Sequence, residues 1–176
     1  MSAPFTRLEG RKVALRPFTA SDVTDAYVGW LNDPEVTRFS NQRFRTHDRA
    51  SCEEYLDSFS GTDNLFVSIR AVEGDLAIGT MTAYRVPHHG TCDVGIMIGE
   101  RAFWGGGFGQ EAWNLLTDWL VNSGGVRKLT AGCLAPNHGM VRLMERSGMQ
   151  HEALRVGQEI VEGRPEDIVL YARFAR

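Results

Sequence analysis

A glycine-rich turn running straight into an amphipathic helix constrains this chain more than any other feature. The run Gly99-Glu-Arg-Ala-Phe-Trp-Gly-Gly-Gly-Phe-Gly-Gln-Glu-Ala112 holds five glycines between residues 99 and 109. Glycine adopts positive φ without a Cβ penalty and lets bare amides approach a ligand. The following helix aims the positive end of its dipole at the same point, so the segment is built to hold a phosphate. A turn that merely capped the helix would carry the chain entropy of five glycines for nothing. A mononucleotide loop needs Lys and Ser/Thr after its last glycine, whereas Gly109 is followed by Gln110 and Glu111. The dinucleotide fingerprint needs Gly-x-Gly-x-x-Gly/Ala after the first strand of a βαβ unit. Here Gly105-x-Gly107 meets Gln110 at the last position, and several strand-like segments precede it.

Composition narrows the class. A chain of 176 residues with 43% hydrophobic content suits one globular domain over residues 1–176, with a core that needs no staples. A net charge of −3 gives no general attraction to nucleic acid or to an anionic membrane surface. Cys52, Cys92 and Cys133 are odd in number and widely spaced, which argues against a disulfide framework or a zinc site and for reduced, buried thiols in a cytoplasmic protein. His88 and His89 lack partners at metal-ligand spacing, so no metal is expected. No apolar run approaches the roughly 20 residues of a membrane helix, and Met1-Ser-Ala-Pro-Phe lacks the core of a signal peptide.

Periodicity gives the order of elements. Residues 13–18 read as an edge strand ending near Pro17. Ser21 is expected to cap a helix through Trp30-Leu31, stopped by Asn32-Asp-Pro34, and a second helix is expected over residues 46–59. Residues 65–72 and 76–86 form a hairpin pattern, and 91–98 is the strand that delivers the chain to the glycine turn. The helix after the turn carries Ala112, Leu115, Leu116, Trp119 and Leu120 on one stripe. A strand over 126–133, a helix from Asn137 to Ser147 and two strands flanking Glu162-Gly-Arg-Pro165 complete the chain. The sum is an α+β domain with a mixed central sheet of about seven strands and helices on both faces.

The pattern Trp104-Gly105-Gly106-Gly107-Phe108-Gly109-Gln110-Glu111-Ala112 resembles the pyrophosphate loop of the Gcn5-related N-acetyltransferases (the GNAT superfamily), closest to the form in the Rim-type ribosomal-protein branch. Trp104 departs from the Gln or Arg of many members. Asn137-His-Gly-Met-Val-Arg142-Leu-Met144-Glu-Arg-Ser-Gly148-Met149 is similar to a second family motif, with the same Asn-to-Gly spacing. The element order matches the family fold from residue 12 to residue 174. The resemblance implies acetyl-CoA as co-substrate, with Trp104, Gly105, Gly106, Gly107, Phe108, Gly109 and Gln110 at its pyrophosphate. Ile96, Met97 and Ile98, with Asn137 and Arg142, lie along its pantetheine arm.

An alkylamine with a pKa of about 10 must lose a proton before it attacks a thioester. Asp93, in the strand before the loop, matches the family's strand carboxylate that serves as base; the alternative is a solvent-facing carboxylate. Met144 stands where many members carry a Tyr that protonates the departing thiolate. By resemblance Trp30, Asn32, Glu35, Arg38 and Phe39 line the acceptor pocket, together with the 157–166 hairpin. The run Trp30-Leu-Asn-Asp-Pro-Glu-Val36 is similar to the corresponding segment of acetyltransferases acting on nucleotide-linked amino sugars. Arg38, Arg43 and Arg45 suit phosphate oxygens, or else form a solvated basic loop. The expected partner is a small-molecule amine or a protein N-terminus, and the chain is expected to act as a monomer or homodimer. A non-catalytic coenzyme A-binding module remains the reading from another class.

Overall fold

The first strand, β1 (Leu8–Glu9), pairs antiparallel with β2 (Val13–Pro17) and adds one strand to the sheet expected from the sequence. The computed structural model describes residues 4–175. After β2 come α1 (Asp25–Asn32), α2 (Pro34–Thr37) and α3 (Arg49–Asp57), then β3 (Leu65–Ala71), β4 (Leu76–Val86) and β5 (Thr91–Ile98). The chain continues through α4 (Phe108–Asn122), β6 (Lys128–Leu134), α5 (His138–Arg146), β7 (Gln150–Val161) and β8 (Arg164–Phe174). The described strands form one eight-stranded sheet in the order β1-β2-β3-β4-β5-β6-β8-β7. Only the β5–β6 contact is parallel.

Alternation along the strands sorts the two layers. Val67, Ile69 and Ala71 of β3 face α4 and α5, where Trp113, Leu116, Leu120 and Met144 are fully buried. Phe66 faces the opposite layer and stacks on Phe18 at 4.2 Å between ring centroids, beneath Tyr27 and Trp30 of α1. The stripe of α4 is centred on Ala112, Trp113, Leu116 and Leu120, while Leu115 and Trp119 are only half-buried. Trp113 takes the central place because its indole N–H reaches Ser147 Oγ at 3.0 Å, which satisfies the one polar atom of a buried ring.

Ser21 does not cap α1. Asp22 takes two 2.7 Å bonds from Arg16 and one from the Thr19 amide, closing a separate turn at Ala20–Asp22. Thr24 then caps α1 by accepting from the Tyr27 amide. Likewise α3 starts at Arg49, with the Asp48 carboxylate accepting from the Ser51 amide at 2.8 Å.

Of three breaks in the sheet's register, one in β4 and two in β7, the β4 break and the wider β7 break matter most. In β4 the pairing with β3 skips Ile78, whose carbonyl accepts from both Gly99 and Glu100, so the end of β5 is tied to β4. In β7, at the outer edge, residues 156–158 bulge between the pairs Arg155↔Ile168 and Glu159↔Glu166. The Gly157 amide turns inward to the Asp167 carboxylate at 2.7 Å.

Candidate active site

The glycine turn is held from outside by the β1–β2 connection. Glu111, in the first turn of α4, accepts from the backbone amides of Lys12 (2.7 Å), Val13 (2.8 Å) and Arg11 (3.2 Å). Burial pushes the Glu111 carboxyl up, but these amides and the Lys12 charge outweigh it and the group titrates below the usual carboxylate range. A side chain at Gly10 would collide with Glu111 Oε2. Lys12 also donates from Nζ to the Gly106 carbonyl at 2.6 Å. Gly105 (φ 73°) and Gly107 (φ 81°) are left-handed, and Gly107 occupies the N-cap of α4 with no side-chain cap. The turn therefore presents the free amides of a 15-residue helix to solvent. Trp104 donates its indole N–H to the Ile98 carbonyl at 2.8 Å, stitching the turn to the end of β5. The Gln110 side chain points away from the turn, to Asn114 and to the Leu143 carbonyl.

A gap opens beside β5. This strand pairs with β6 only at Thr91↔Lys128, Cys92↔Leu129 and Asp93↔Thr130. Beyond these residues β6 remains bonded to β8, and β5 to β4 alone. Alternate backbone groups over 94–98, including those of Ile96, Met97 and Ile98, thus face an opening between diverging strands. From Ile98 at the glycine turn to Asp93 at the fork the strand spans about 17 Å. Asn137 caps α5 beyond the C-terminal end of β6, accepting from the Met140 amide at 3.1 Å. Among the described residues its side-chain nitrogen has no partner, and Arg142 is exposed without an ion pair.

Asp93 sits at the fork itself. Its Oδ2 accepts from the Thr130 hydroxyl at 2.7 Å. The carboxylate reaches solvent, yet the protein around it displaces enough water to push its pKa above the usual range, and the Thr130 bond pulls the other way. Across β4, Tyr84 is its register partner and shares a 2.6 Å hydroxyl bond with Tyr55. Met144 is fully buried in the core and offers no acid to this cleft.

Arg38, Arg43 and Arg45 line one cavity of about 510 Å³ with Asn32, Thr37 and Glu162, between α1–α2 and the β7–β8 turn. Arg38 pairs with Glu162 at 3.2 Å and Arg43 with Glu159 at 3.8 Å, while Arg45 has no ion-pair partner among the described residues. Asn32 is spent on structure: it accepts from the His47 amide and donates to the His47 carbonyl, both at 2.8 Å. Trp30 is buried against Gly99, where any Cβ would collide with its ring. Glu35 is exposed outside this cavity, and Phe39 lies outside it under the Arg38 guanidinium at 5.3 Å. Thr130, Lys12 and Thr37 were not singled out by the sequence reading; each acts through a contact distant in the chain or along the backbone. Among the described residues no group of three or more His, Cys, Asp or Glu gathers at metal-binding range, and no helix is long and apolar enough to cross a membrane.

Residues 12–150 match the family model for the acetyltransferase (GNAT) domain. The chain belongs to the GNAT N-acetyltransferases. It is 28% identical over 171 residues, 94% of each chain, to an uncharacterized N-acetyltransferase, p20, of Bacillus licheniformis. Among solved structures it is similar to spermidine N-acetyltransferase from Vibrio cholerae in complex with CoA and spermine (TM-score 0.83, 16% identity, 94% of this chain and 97% of that one). It is also similar to ribosomal-protein-S5-alanine acetyltransferase from Vibrio fischeri (TM-score 0.82, 17% identity, 97% of each). At such identities these two structures speak for the GNAT fold alone. As a GNAT member the chain is an acyltransferase.

Proposed function

We propose that residues 1–176 act as one GNAT domain that moves an acetyl group from acetyl-CoA to the primary amine of a small anionic molecule, such as a nucleotide-linked amino sugar. The attack is direct, with both substrates bound. The observation that carries the acceptor class is the three-arginine cavity, in which, among the described residues, Arg45 has no carboxylate to neutralise it. Guanidinium groups on phosphate oxygens form short, charge-assisted bonds.

The free amides at Gly105–Gln110 and the α4 dipole suit the coenzyme's pyrophosphate, with Trp104 and Phe108 flanking it. The open backbone of Ile96, Met97 and Ile98, with the free Asn137 amide and Arg142, suits the pantetheine arm, whose thioester supplies the acetyl group. Asp93 takes the amine proton, and a backbone amide of β5 stabilises the oxygen that gathers charge. With Met144 in place of the family's Tyr, solvent protonates the thiolate, a tolerable leaving group at a thiol pKa of about 8.5.

Thermal unfolding with acetyl-CoA, NAD and ATP in parallel tests the coenzyme reading, since a ligand at about 100 times its dissociation constant adds roughly 2.7 kcal/mol. Thiol release is then followed with UDP- and dTDP-amino sugars, spermidine and an N-terminal ribosomal-protein peptide. Turnover confined to the amino-sugar nucleotides supports the reading. Turnover confined to spermidine or the peptide overturns the acceptor class, and coenzyme binding without any turnover favours a binding module.

A further inference from the structure

We propose that Thr130 is the positioning residue for Asp93, holding the carboxylate at the point where β5 and β6 part. The inference rests on Asp93 being the base of the acetyl transfer. Asp93↔Thr130 is the last register pair before the strands diverge, so both side chains stand at the closed end of the gap. The Thr130 hydroxyl donates to Oδ2 at 2.7 Å, and among the described residues Oδ1 has no partner. One oxygen is thus fixed and the other is left for the amine proton. An aspartate has a single methylene between backbone and carboxyl, so a neighbour on the adjacent strand is the natural way to lock its rotamer.

Among the described residues Thr130 is the only direct partner of the Asp93 carboxylate. On β4 the facing group is Tyr84, whose hydroxyl is engaged by Tyr55 of α3. On β6 the next titratable group along the face is Lys128, and it is paired with Glu152 of β7. Cys92 lies on the other side of the sheet, buried, with its thiol pushed up to about 12 by burial. Arg85 of β4 is turned away to the Gly124 carbonyl. Among the described residues no cation therefore stabilises the charged form of Asp93 by direct contact, and the Thr130 hydroxyl is the group that favours it against the crowding of the site.

The proton ledger closes. The ammonium proton passes to Oδ1 of Asp93 before attack and leaves from there to solvent; as the C–N bond forms and the C–S bond breaks the nitrogen sheds its second proton to solvent, while the thiolate takes one proton from solvent. Thr130 keeps its own proton on Oγ1, donated to Oδ2, throughout.

The test compares T130V, T130S and D93N with the wild-type chain, using the amine that turns over fastest and the slow hydrolysis of acetyl-CoA. A ¹³C-carboxyl NMR titration of Asp93 in wild type and T130V adds a readout that needs no acceptor. T130V is expected to lose about tenfold in kcat with KM for acetyl-CoA unchanged, and T130S to recover most of it. Losing a bond to the charged form raises the Asp93 pKa, so the acid limb of kcat and the NMR midpoint both move to higher pH in T130V. In the D93N background T130V is expected to cost nothing further. Unchanged kcat and unchanged Asp93 titration in T130V, or an equal loss from T130V with and without D93N, overturns the inference while leaving the acetyltransferase reading intact. An active D93N enzyme overturns both this inference and the assignment of Asp93.

Discussion

The turn at residues 104–110 presents backbone, whereas the cavity wall at residues 38–45 presents side chains. The first is over-determined: Glu111 grips three amides, Lys12 holds the Gly106 carbonyl and Trp104 holds that of Ile98, so the amides stay aimed whatever the loop's own sequence prefers. The second rests on two ion pairs, the exposed Arg38–Glu162 and the half-buried Arg43–Glu159, and among the described residues Arg45 meets no carboxylate. Exposed pairs contribute little to stability. A site made of backbone recognises what is common to all members of a family, and one made of replaceable side chains can change partner with a handful of substitutions. On the proposed function, that division makes the acetyl-donor half the fixed part of the molecule and the acceptor half the variable one.

The sharpest way to break the comparison is at the fork between the two halves. D93N is expected to lower kcat by about 100-fold or more while leaving acetyl-CoA binding untouched, as read by steady-state kinetics beside a thermal shift. In wild type the acid limb of kcat is expected above the usual aspartate range, since crowding raises the Asp93 pKa and only the deprotonated form accepts a proton. R45A is expected to raise KM for a phosphate-bearing amine by about tenfold, with KM for acetyl-CoA constant; an equal rise in both constants would erase the distinction between the halves. G107A should cost roughly 1–2 kcal/mol, because its left-handed N-cap forbids a Cβ without strain, and should weaken acetyl-CoA in a binding titration.

E111Q, the mildest change, is expected to lower stability by about 1 kcal/mol in urea unfolding near neutral pH. Its pH dependence carries a sign. A carboxyl whose folded pKa is depressed stabilises the fold fully above its unfolded value near 4.5, and that stability is lost as pH falls through the folded value. Wild type and E111Q should therefore converge in acid.

Much of the donor half was legible because its determinants are local. The spacing of Gly105, Gly107 and Gly109 before the α4 stripe, the hairpin of β3 and β4, the bounds of β5 and the Asn137 cap of α5 can each be read within about fifteen residues. What escaped depends on distant partners. Ser21 looked like a cap until Arg16 and Thr19 claimed Asp22 and moved the start of α1 to Thr24. Trp119 reads as part of the α4 stripe and Trp113 does not, yet Ser147 supplies a partner for the Trp113 indole and lets that ring take the buried place. The fork is the absence of pairing between strands more than thirty residues apart, which no local pattern encodes, and with it went Thr130. Asn32 lines the arginine cavity and also holds the His47 backbone, a bond no local pattern shows, because an amide side chain at a helix end competes for whichever backbone passes nearby.

The bulge at residues 156–158 has a consequence for the life of the protein outside catalysis. β7 ends the sheet as a twelve-residue strand carrying exposed Leu154, Val156 and Ile160, the kind of edge on which a neighbouring molecule could lay down another strand. By folding the Gly157 amide inward to Asp167, the bulge cuts that template into two short runs that no straight strand can follow. The same three residues that look like a defect in the ladder thus act as a guard against aggregation in a crowded cell.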